Sequence, residues 1–239
     1  MIAATNLSKQ FKRLKALDGV SFEWTSNQVV SLIGPNGSGK TTLIKCLLGL
    51  VKPDQGNIQV MGQSILQNEQ YRHCIGYMPQ IGRYPDHMKV GQLFDLLMEL
   101  RNLPENILDK ELMQVYKLDQ LSHQSMRTLS GGTRQKVSAA IAFLFNPSIY
   151  ILDEPTAGLD PLSAEILKEK IKSEKSKDKL IVITSHVLSD FDDLTTEVLY
   201  LQDGRVRFQD CMDVLKSKTG EQKFVKAIAH IMQHPEELN

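Results

Sequence analysis

Few cysteines and no excess of either charge are the first features of this sequence. Its three cysteines, Cys46, Cys74 and Cys211, form neither a CxxC pair nor a cluster with histidine. Because disulfide frameworks and zinc sites depend on such spacings, we expect plain thiols. Lysine plus arginine equals aspartate plus glutamate, at 28 each. A nucleic-acid-binding protein more often carries a basic excess, and we therefore expect no nucleic-acid partner.

Long apolar runs are missing as well. No stretch approaches the roughly 20 apolar residues that a membrane-spanning helix needs. The N-terminus, MIAATNLSKQFKR, has no apolar core of the kind found in signal peptides. We therefore expect a cytoplasmic protein. If it acts at a membrane, another polypeptide must supply the spanning helices.

Short apolar runs that end in glycine or polar residues predict a parallel sheet. Three runs share these features: Val29–Ile33, Ser148–Leu152 and Leu180–Thr184. Helix-compatible sequence follows each of them, which is typical of an α/β core. In such folds the loops at the carboxyl ends of the strands carry the functional residues.

The remaining segments predict three additions to this core. The first 24 residues read as an antiparallel edge layer, and residues 198–208 read as a hairpin. Residues of about 85–129 predict a helical insertion, in which Leu93, Leu96, Leu97 and Leu100 form an apolar row. We divide the chain into a domain of residues 1–210 and a helical extension of residues 211–239.

A complete phosphate-binding loop follows the first of these runs. The sequence GPNGSGKT of residues 34–41 matches the pattern G-x-x-x-x-G-K-[ST], and a helix is predicted to begin there. Glycines let backbone N–H groups turn towards phosphates, whereas a plain glycine-rich turn would not need Lys40. We expect Lys40 to reach the β- and γ-phosphates and Thr41 to bind Mg²⁺. The predicted nucleotide-binding residues are Gly34, Pro35, Asn36, Gly37, Ser38, Gly39, Lys40, Thr41 and Thr42.

Two acids end the second of the runs. Asp153 closes the apolar sequence SIYIL and Glu154 follows it. A carboxylate at this place can hold Mg²⁺, and a second one can polarise an attacking water. Alone, such a run is weak evidence, but downstream of a phosphate loop it predicts Asp153 as a metal ligand and Glu154 as the catalytic base.

The segment LSGGTRQ of residues 129–135 resembles the LSGGQ signature of the ABC ATPase superfamily. Physically it is a helix start, and a helix N-terminus can bind an anion. Thr133 stands where the family most often has glutamine, while Ser130, Gly131 and Gly132 are retained. The resemblance implies that these three residues bind the γ-phosphate of ATP.

Four further positions resemble motifs of the same family. Gln80 matches the Q-loop glutamine, which the resemblance implies contacts Mg²⁺ and the attacking water. Asp160, in Ala157-Gly158-Leu159-Asp160, matches the D-loop, and His186 matches the switch histidine at the γ-phosphate. Phe11 fits the aromatic position that stacks on adenine.

The resemblance implies a fold, an activity and a set of partners. The expected fold is α/β, a P-loop NTPase of ABC type: a mainly parallel core sheet flanked by helices, an N-terminal antiparallel β-subdomain and a helical subdomain. The expected activity is hydrolysis of ATP with Mg²⁺ in a head-to-tail homodimer, in which Ser130, Gly131 and Gly132 act on the partner's ATP. Integral membrane permease subunits are the expected partners, with a periplasmic accessory protein as a further candidate. The chain would then be peripheral on the inner face of the cell membrane.

Other readings stay open at this point. A non-transport ABC ATPase is one alternative, although residues 41–129 lack the sustained heptads of chromosome-acting members. Another P-loop NTPase is a second, but it would not explain Ser130–Gly132. Among transporters, Gly76–Gln80 resembles exporters of the multidrug and gliding-motility type, and little sequence follows the core for the regulatory domain of sugar importers. Residues 81–85 and 224–232 look more like the ATPase subunit of the Nos system, which supports copper-site maturation of nitrous-oxide reductase.

Overall fold

An antiparallel sheet, which we call the N-terminal sheet, forms one layer of the fold. The computed structural model describes residues 1–66, 68–185, 188–221 and 223–233. The strands of this sheet lie in the order β2-β1-β4-β5. Their bounds are β1 (Ile2–Phe11), β2 (Leu14–Trp24), β4 (Gln55–Val60) and β5 (Gln63–Ser64). Ile2 pairs with Trp24 on one side and with Val60 on the other, which confirms the predicted antiparallel layer.

A second sheet, the central sheet, is mainly parallel and has the strand order β10-β9-β3-β8-β7-β6. Its strands are β3 (Val29–Ile33), β6 (Ile75–Met78), β7 (Ile149–Asp153), β8 (Leu180–Thr184), β9 (Glu197–Gln202) and β10 (Arg205–Cys211). Every residue of β3, β7 and β8 is buried, as expected for strands covered on both faces. Only the pair β9 and β10 is antiparallel, and it is the predicted hairpin.

Helices cover both faces of the central sheet. They are α1 (Lys40–Leu47), α2 (Val90–Arg101), α3 (Glu111–Val115), α4 (Gly131–Leu144), α5 (Pro161–Lys175), α6 (Met212–Thr219) and α7 (Phe224–Gln233). In the part of the chain that the structure describes, no helix is long and apolar enough to cross a membrane. The fold is α/β, as predicted, while the division at residue 210 stays a prediction.

Helix α1 lies between the two sheets, and this places the phosphate loop at their junction. Its Leu43 and Leu47 share one core with Trp24 of the N-terminal sheet and Leu32 of the central sheet. A second core, on the other face of the central sheet, contains Phe143 of α4 and residues of α2, α3 and α5. The loops at the carboxyl ends of β3, β6, β7 and β8 therefore meet at one edge of the fold.

The predicted apolar row on α2 is only half correct. Leu93 is 5% exposed and Leu97 is partly buried, but Leu96 is 40% exposed and Leu100 is 70% exposed. With 3.6 residues per turn, the buried face runs through Leu93, Phe94 and Leu97, so that Leu96 falls outside it. Leu100 lies in the last turn of the helix, at the end of this apolar face.

Candidate functional site: the nucleotide cleft

The phosphate loop connects β3 to α1 and is shaped by two glycines that leave no room for a side chain. A Cβ on Gly34 would collide with the carbonyl oxygen of Leu201, and one on Gly39 would collide with that of Ala16. Gly39 also caps α1 with a φ of 109°, in a region that favours glycine. Backbone atoms of two distant segments, around Ala16 and Leu201, therefore hold this loop in shape.

The turn of the β9–β10 hairpin contacts the phosphate loop. The Gly204 N–H donates to the Ser38 carbonyl oxygen at 3.0 Å. Arg205 next to it pairs with Asp18 at 2.7 Å, and this ion pair ties the hairpin to β2. The hairpin was predicted from its turn sequence. Its contact with the phosphate loop was not predicted, because Gly204 and Ser38 lie far apart in the chain.

Polar groups of the loop are poised for an anion. The Lys40 ammonium donates to the carbonyl oxygens of Gly34 at 2.6 Å and Pro35 at 3.1 Å. The Ser38 side chain is 2% exposed, and its Oγ has no hydrogen-bond partner among the described residues. An unpaired buried hydroxyl is costly, so a phosphate oxygen on this loop would satisfy a donor that is otherwise left over. The loop therefore fits a nucleotide phosphate.

Asp153 and Glu154 face the same loop from the end of β7. Both residues are 9% exposed. Glu154 has a φ of 52°, so the backbone turns sharply at this residue. Burial lowers the pKa of Lys40, while the nearby carboxylates of Glu154 and Asp153 oppose that shift. The opposing charges favour the ammonium form that a phosphate would need.

One cleft of about 430 Å³ collects most of the predicted residues. It is lined by Phe11, Leu14, Ala16, residues 36–42, Gln80, Asp153 and Glu154. Phe11 is 44% exposed, and the Lys9 ammonium lies 5.3 Å from the centre of its ring. The structure thus brings together residues from the two sheets that are separated by more than a hundred positions in the chain. Leu14 and Ala16 were missed from the sequence, because small and apolar residues carry no motif.

Three of the cleft residues fit a magnesium ion by their chemistry. Thr41, Gln80 and Asp153 contribute a hydroxyl, an amide and a carboxylate to the same cleft. Hard divalent cations prefer oxygen ligands of these kinds. The donor set therefore agrees with the predicted Mg²⁺ site, and the individual ligands stay predictions.

The signature segment lies outside this cleft. Ser130 caps α4, where its Oγ accepts from the Thr133 N–H at 3.1 Å and lies 2.8 Å from the Thr133 hydroxyl. Ser130 and Gly131 are exposed, whereas Gly132 is half-buried. A Cβ on Gly132 would lie 2.8 Å from the Gly158 carbonyl oxygen. This glycine therefore lets the signature helix approach the D-loop.

Asp160 also lies outside the cleft lining. It caps α5 by accepting from the Ser163 N–H at 2.9 Å, and it pairs with Lys136 of α4 at 2.8 Å. Hydrogen bonds from Lys136 and Ser163 hold the pKa of this carboxyl well below its ordinary value. In the single chain Asp160 thus joins the D-loop to the signature helix, and contact with ATP stays a prediction. The predicted switch residue His186 falls outside the described residues.

Comparison with known proteins identifies the family. A family model described as "ABC transporter" matches residues 17–157, which is more than half of the 239 residues. The chain is 32% identical over 213 residues to the lipopolysaccharide export system ATP-binding protein LptB of Haemophilus influenzae, covering 86% of this chain and 88% of that protein. It is 30% identical to the Nod factor export ATP-binding protein I of Ralstonia nicotianae, covering 86% of this chain but only 65% of that longer protein.

Solved structures agree with these relatives. A structure described as the ATP-binding subunit of an ABC transporter has a TM-score of 0.89 and 27% identity, covering 97% of this chain and 99% of the other. The dimeric cassette MJ0796 bound to ADP and Pi has a TM-score of 0.78 at 22% identity, covering 89% and 99%, and supports the fold. The cleft, the family model and these relatives together show that the chain belongs to the ABC transporter family and is an ATP-binding ATPase.

Proposed function

We propose that this ATPase powers a membrane exporter, and that two copies close head to tail around ATP. The observation that carries the proposal is the divided site. The cleft assembles the phosphate loop, Gln80 and both acids, while Ser130 and Gly131 lie exposed elsewhere on the surface. A signature segment that serves ATP must then reach the cleft of another copy.

Within one chain, each cleft residue has a role that its chemistry supports. Lys40 neutralises the phosphates, and Phe11 stacks on adenine, a contact worth about 1–3 kcal/mol in comparable base–aromatic pairs. Thr41, Gln80 and Asp153 would hold Mg²⁺, which supplies charge neutralisation on the phosphates when bound. Glu154 accepts a hydrogen bond from the attacking water and then its proton. His186 is assigned to the site only because its position in the sequence resembles that of the switch histidine.

From the partner chain, the start of α4 completes the site. The first N–H groups of an α-helix have no acceptor within the helix, and the helix dipole is positive there. Ser130, Gly131 and Gly132 place these groups on the surface without large side chains that would block a phosphate. The binding energy of ATP for the closed pair then favours closure over the open form.

Complementation between two inactive variants tests the divided site. Lys40→Ala removes the phosphate contact within the cleft, and Ser130→Arg blocks the surface that serves the partner. In a mixed dimer one site carries both defects and the other carries neither, so ATPase activity should partly return. Lys40→Ala mixed with Glu154→Gln is the matched control, because both defects lie in the cleft and every mixed site keeps one. Equal activity of the two mixtures, with heterodimers verified, would contradict the proposal.

The permease is expected to dock on the loop that follows Gln80. Backbone hydrogen bonds join this loop to the segment before α4: Arg127 N–H donates to the Asp86 carbonyl at 3.0 Å, and Met126 N–H donates to that of Met88 at 2.8 Å. The Arg134 side chain donates to the carbonyls of Met126 and Arg127, at 3.0 and 3.1 Å. A displacement of the loop would therefore reach α4 at Arg134, within the segment of residues 129–135 that resembles the signature.

Tyr84 adds a direct connection to the same helix. Its hydroxyl lies 2.9 Å from the Ser138 hydroxyl of α4, and Ser138 is fully buried. Burial raises the pKa of Tyr84, so the neutral hydroxyl that makes this hydrogen bond is retained. These contacts support a permease partner that acts on Gln80 and on the signature helix together, with the protein held at the inner face of the membrane by that partner.

Export is the direction that the relatives favour. Two of them are named for Nod factor export and lipopolysaccharide export. The narrower resemblance to the Nos system rests on residues 81–85 and 224–232, and a periplasmic accessory protein would belong to that reading. Co-purification of the tagged protein with its membrane partner, followed by transport in vesicles, tests both the partner and the direction.

A further inference from the structure

A buried hydroxyl joins the two acids at the end of β7. Thr184 is the last residue of the neighbouring strand β8, pairs with Asp153 in the parallel register and is 1% exposed. Its Oγ1 donates to Asp153 Oδ1 at 2.5 Å and accepts from the Glu154 N–H at 3.1 Å. A threonine hydroxyl has one proton to donate and lone pairs to accept. Thr184 therefore uses both capacities on the two acids.

Glu154 needs such support because of its backbone. Its φ of 52° is in the left-handed region, where the Cβ of an ordinary residue crowds the following carbonyl oxygen. Such conformations persist only where the surroundings hold them. The Glu154 N–H donates to the Thr184 carbonyl oxygen and to its hydroxyl, both at 3.1 Å. One residue of β8 thus holds the turn that aims Glu154 into the cleft.

We propose that Thr184 is a positioning residue for hydrolysis: its hydroxyl orients the Asp153 carboxylate and holds the backbone of Glu154. The inference rests on the roles proposed above for these two acids. Removal of the hydroxyl leaves the carbonyl oxygen to hold Glu154, but it frees the Asp153 carboxylate to rotate. Loss of a partner that orients a metal ligand typically lowers metal affinity or activity by about 10–100-fold.

Two substitutions at Thr184 and one matched control test the proposal through kcat and nucleotide binding. Thr184→Val keeps the shape of the side chain without the hydroxyl, and kcat should fall by about 10–100-fold. Binding of a fluorescent ATP analogue should match that of the wild type in EDTA, but most of the tightening by Mg²⁺ should be lost. Thr184→Ser should restore both properties. In the control Thr195→Val, a hydroxyl is lost that is buried and bonded to Ser31 and Phe191, away from the cleft, so both properties should stay normal.

Three results would overturn the proposal. The first is a Thr184→Val protein with the kcat and Mg²⁺ response of the wild type, while Glu154→Gln is inactive. The second is an equal loss in Thr195→Val, which would make the effect one of packing alone. The third is full activity in Glu154→Gln, which would remove the proposed role of Glu154 and this inference with it. If Thr184→Val does not fold, Thr184→Cys, with its weaker donor, carries the same prediction.

Discussion

Replacement of Lys170 by methionine should destabilise the protein by about 3–5 kcal/mol, the usual cost of breaking a buried ion pair on one side. Lys170 lies on α5 with 3% of its side chain exposed. Its ammonium is 2.5 Å from Asp109, 2.7 Å from Glu111 and 3.3 Å from Glu174. Two of these contacts fasten the segment at the start of α3 to α5.

The magnitude follows from what the lysine would leave behind. Glu174 is fully buried and, among the described residues, would keep only Lys177 at 2.8 Å and the Tyr150 hydroxyl at 3.1 Å. Lys177 is 51% exposed, so water screens its charge and it replaces little of what Lys170 supplies. For a protein of this size each kcal/mol lowers Tm by about 2–4 °C, which gives a loss of roughly 6–20 °C.

Thermal and urea unfolding of two methionine variants would measure this loss. Lys172→Met is the matched control, because Lys172 lies on the same helix, is 64% exposed and pairs with Glu169 only at 3.8 Å. Such exposed pairs contribute about 0–1 kcal/mol. The double variant Lys170→Met/Glu174→Leu removes the stranded charge and should recover part of the stability. The reasoning is wrong if Lys170→Met costs no more than Lys172→Met.

Further predictions concern pH, docking and adenine. Burial would raise the pKa of Glu174, but Lys177 and Lys170 hold it below its ordinary value. A carboxyl group whose pKa is lowered in the folded state stabilises the fold above its unfolded pKa, and this contribution is lost as the pH falls through the folded pKa. The stability gap between wild type and Lys170→Met should therefore be constant at neutral pH and shrink below about pH 4.5, as urea titrations at several pH values would show. Arg83→Glu or Asp86→Lys should leave ATP binding intact and weaken co-purification with the permease; full assembly and transport in both would place the docking surface elsewhere. Phe11→Ala should weaken ATP binding by about 1–3 kcal/mol and Phe11→Trp should not, and equal nucleotide affinities in a fluorescence titration would refute the stacking.

Strands and motif loops could be predicted from the sequence because their signals are local. Val29–Ile33 and Leu180–Thr184 agree with β3 and β8 in both bounds, and Ser148–Leu152 is shifted by one residue from β7. Strands buried on both faces read as continuous apolar runs, which leaves little room for error. The phosphate loop is equally local, since its glycines, lysine and threonine are contiguous.

Contacts between distant segments could not be predicted in this way. Nothing near Thr184 in sequence shows that its hydroxyl meets Asp153, or that the Leu201 carbonyl leaves Gly34 without room for a Cβ. Leu96 and Leu100 were misplaced because an apolar residue at helical spacing need not lie on the face that the core covers. Asp160 matches a motif, but the structure shows it also as the cap of α5 and the partner of Lys136.

Phosphate release and dimer formation by Glu154→Gln, measured together in MgATP, test the central claim most directly. The amide keeps the shape of the side chain but cannot take the proton of the attacking water, so turnover should fall by about 10²–10⁴-fold. ATP should still bind, and the variant should elute as a dimer that returns to monomer when ATP is removed. Glu165→Gln, at a side chain that is 65% exposed on α5, is the control and should behave as the wild type. Turnover near the wild-type rate in Glu154→Gln, or a monomer at saturating ATP, would contradict the account.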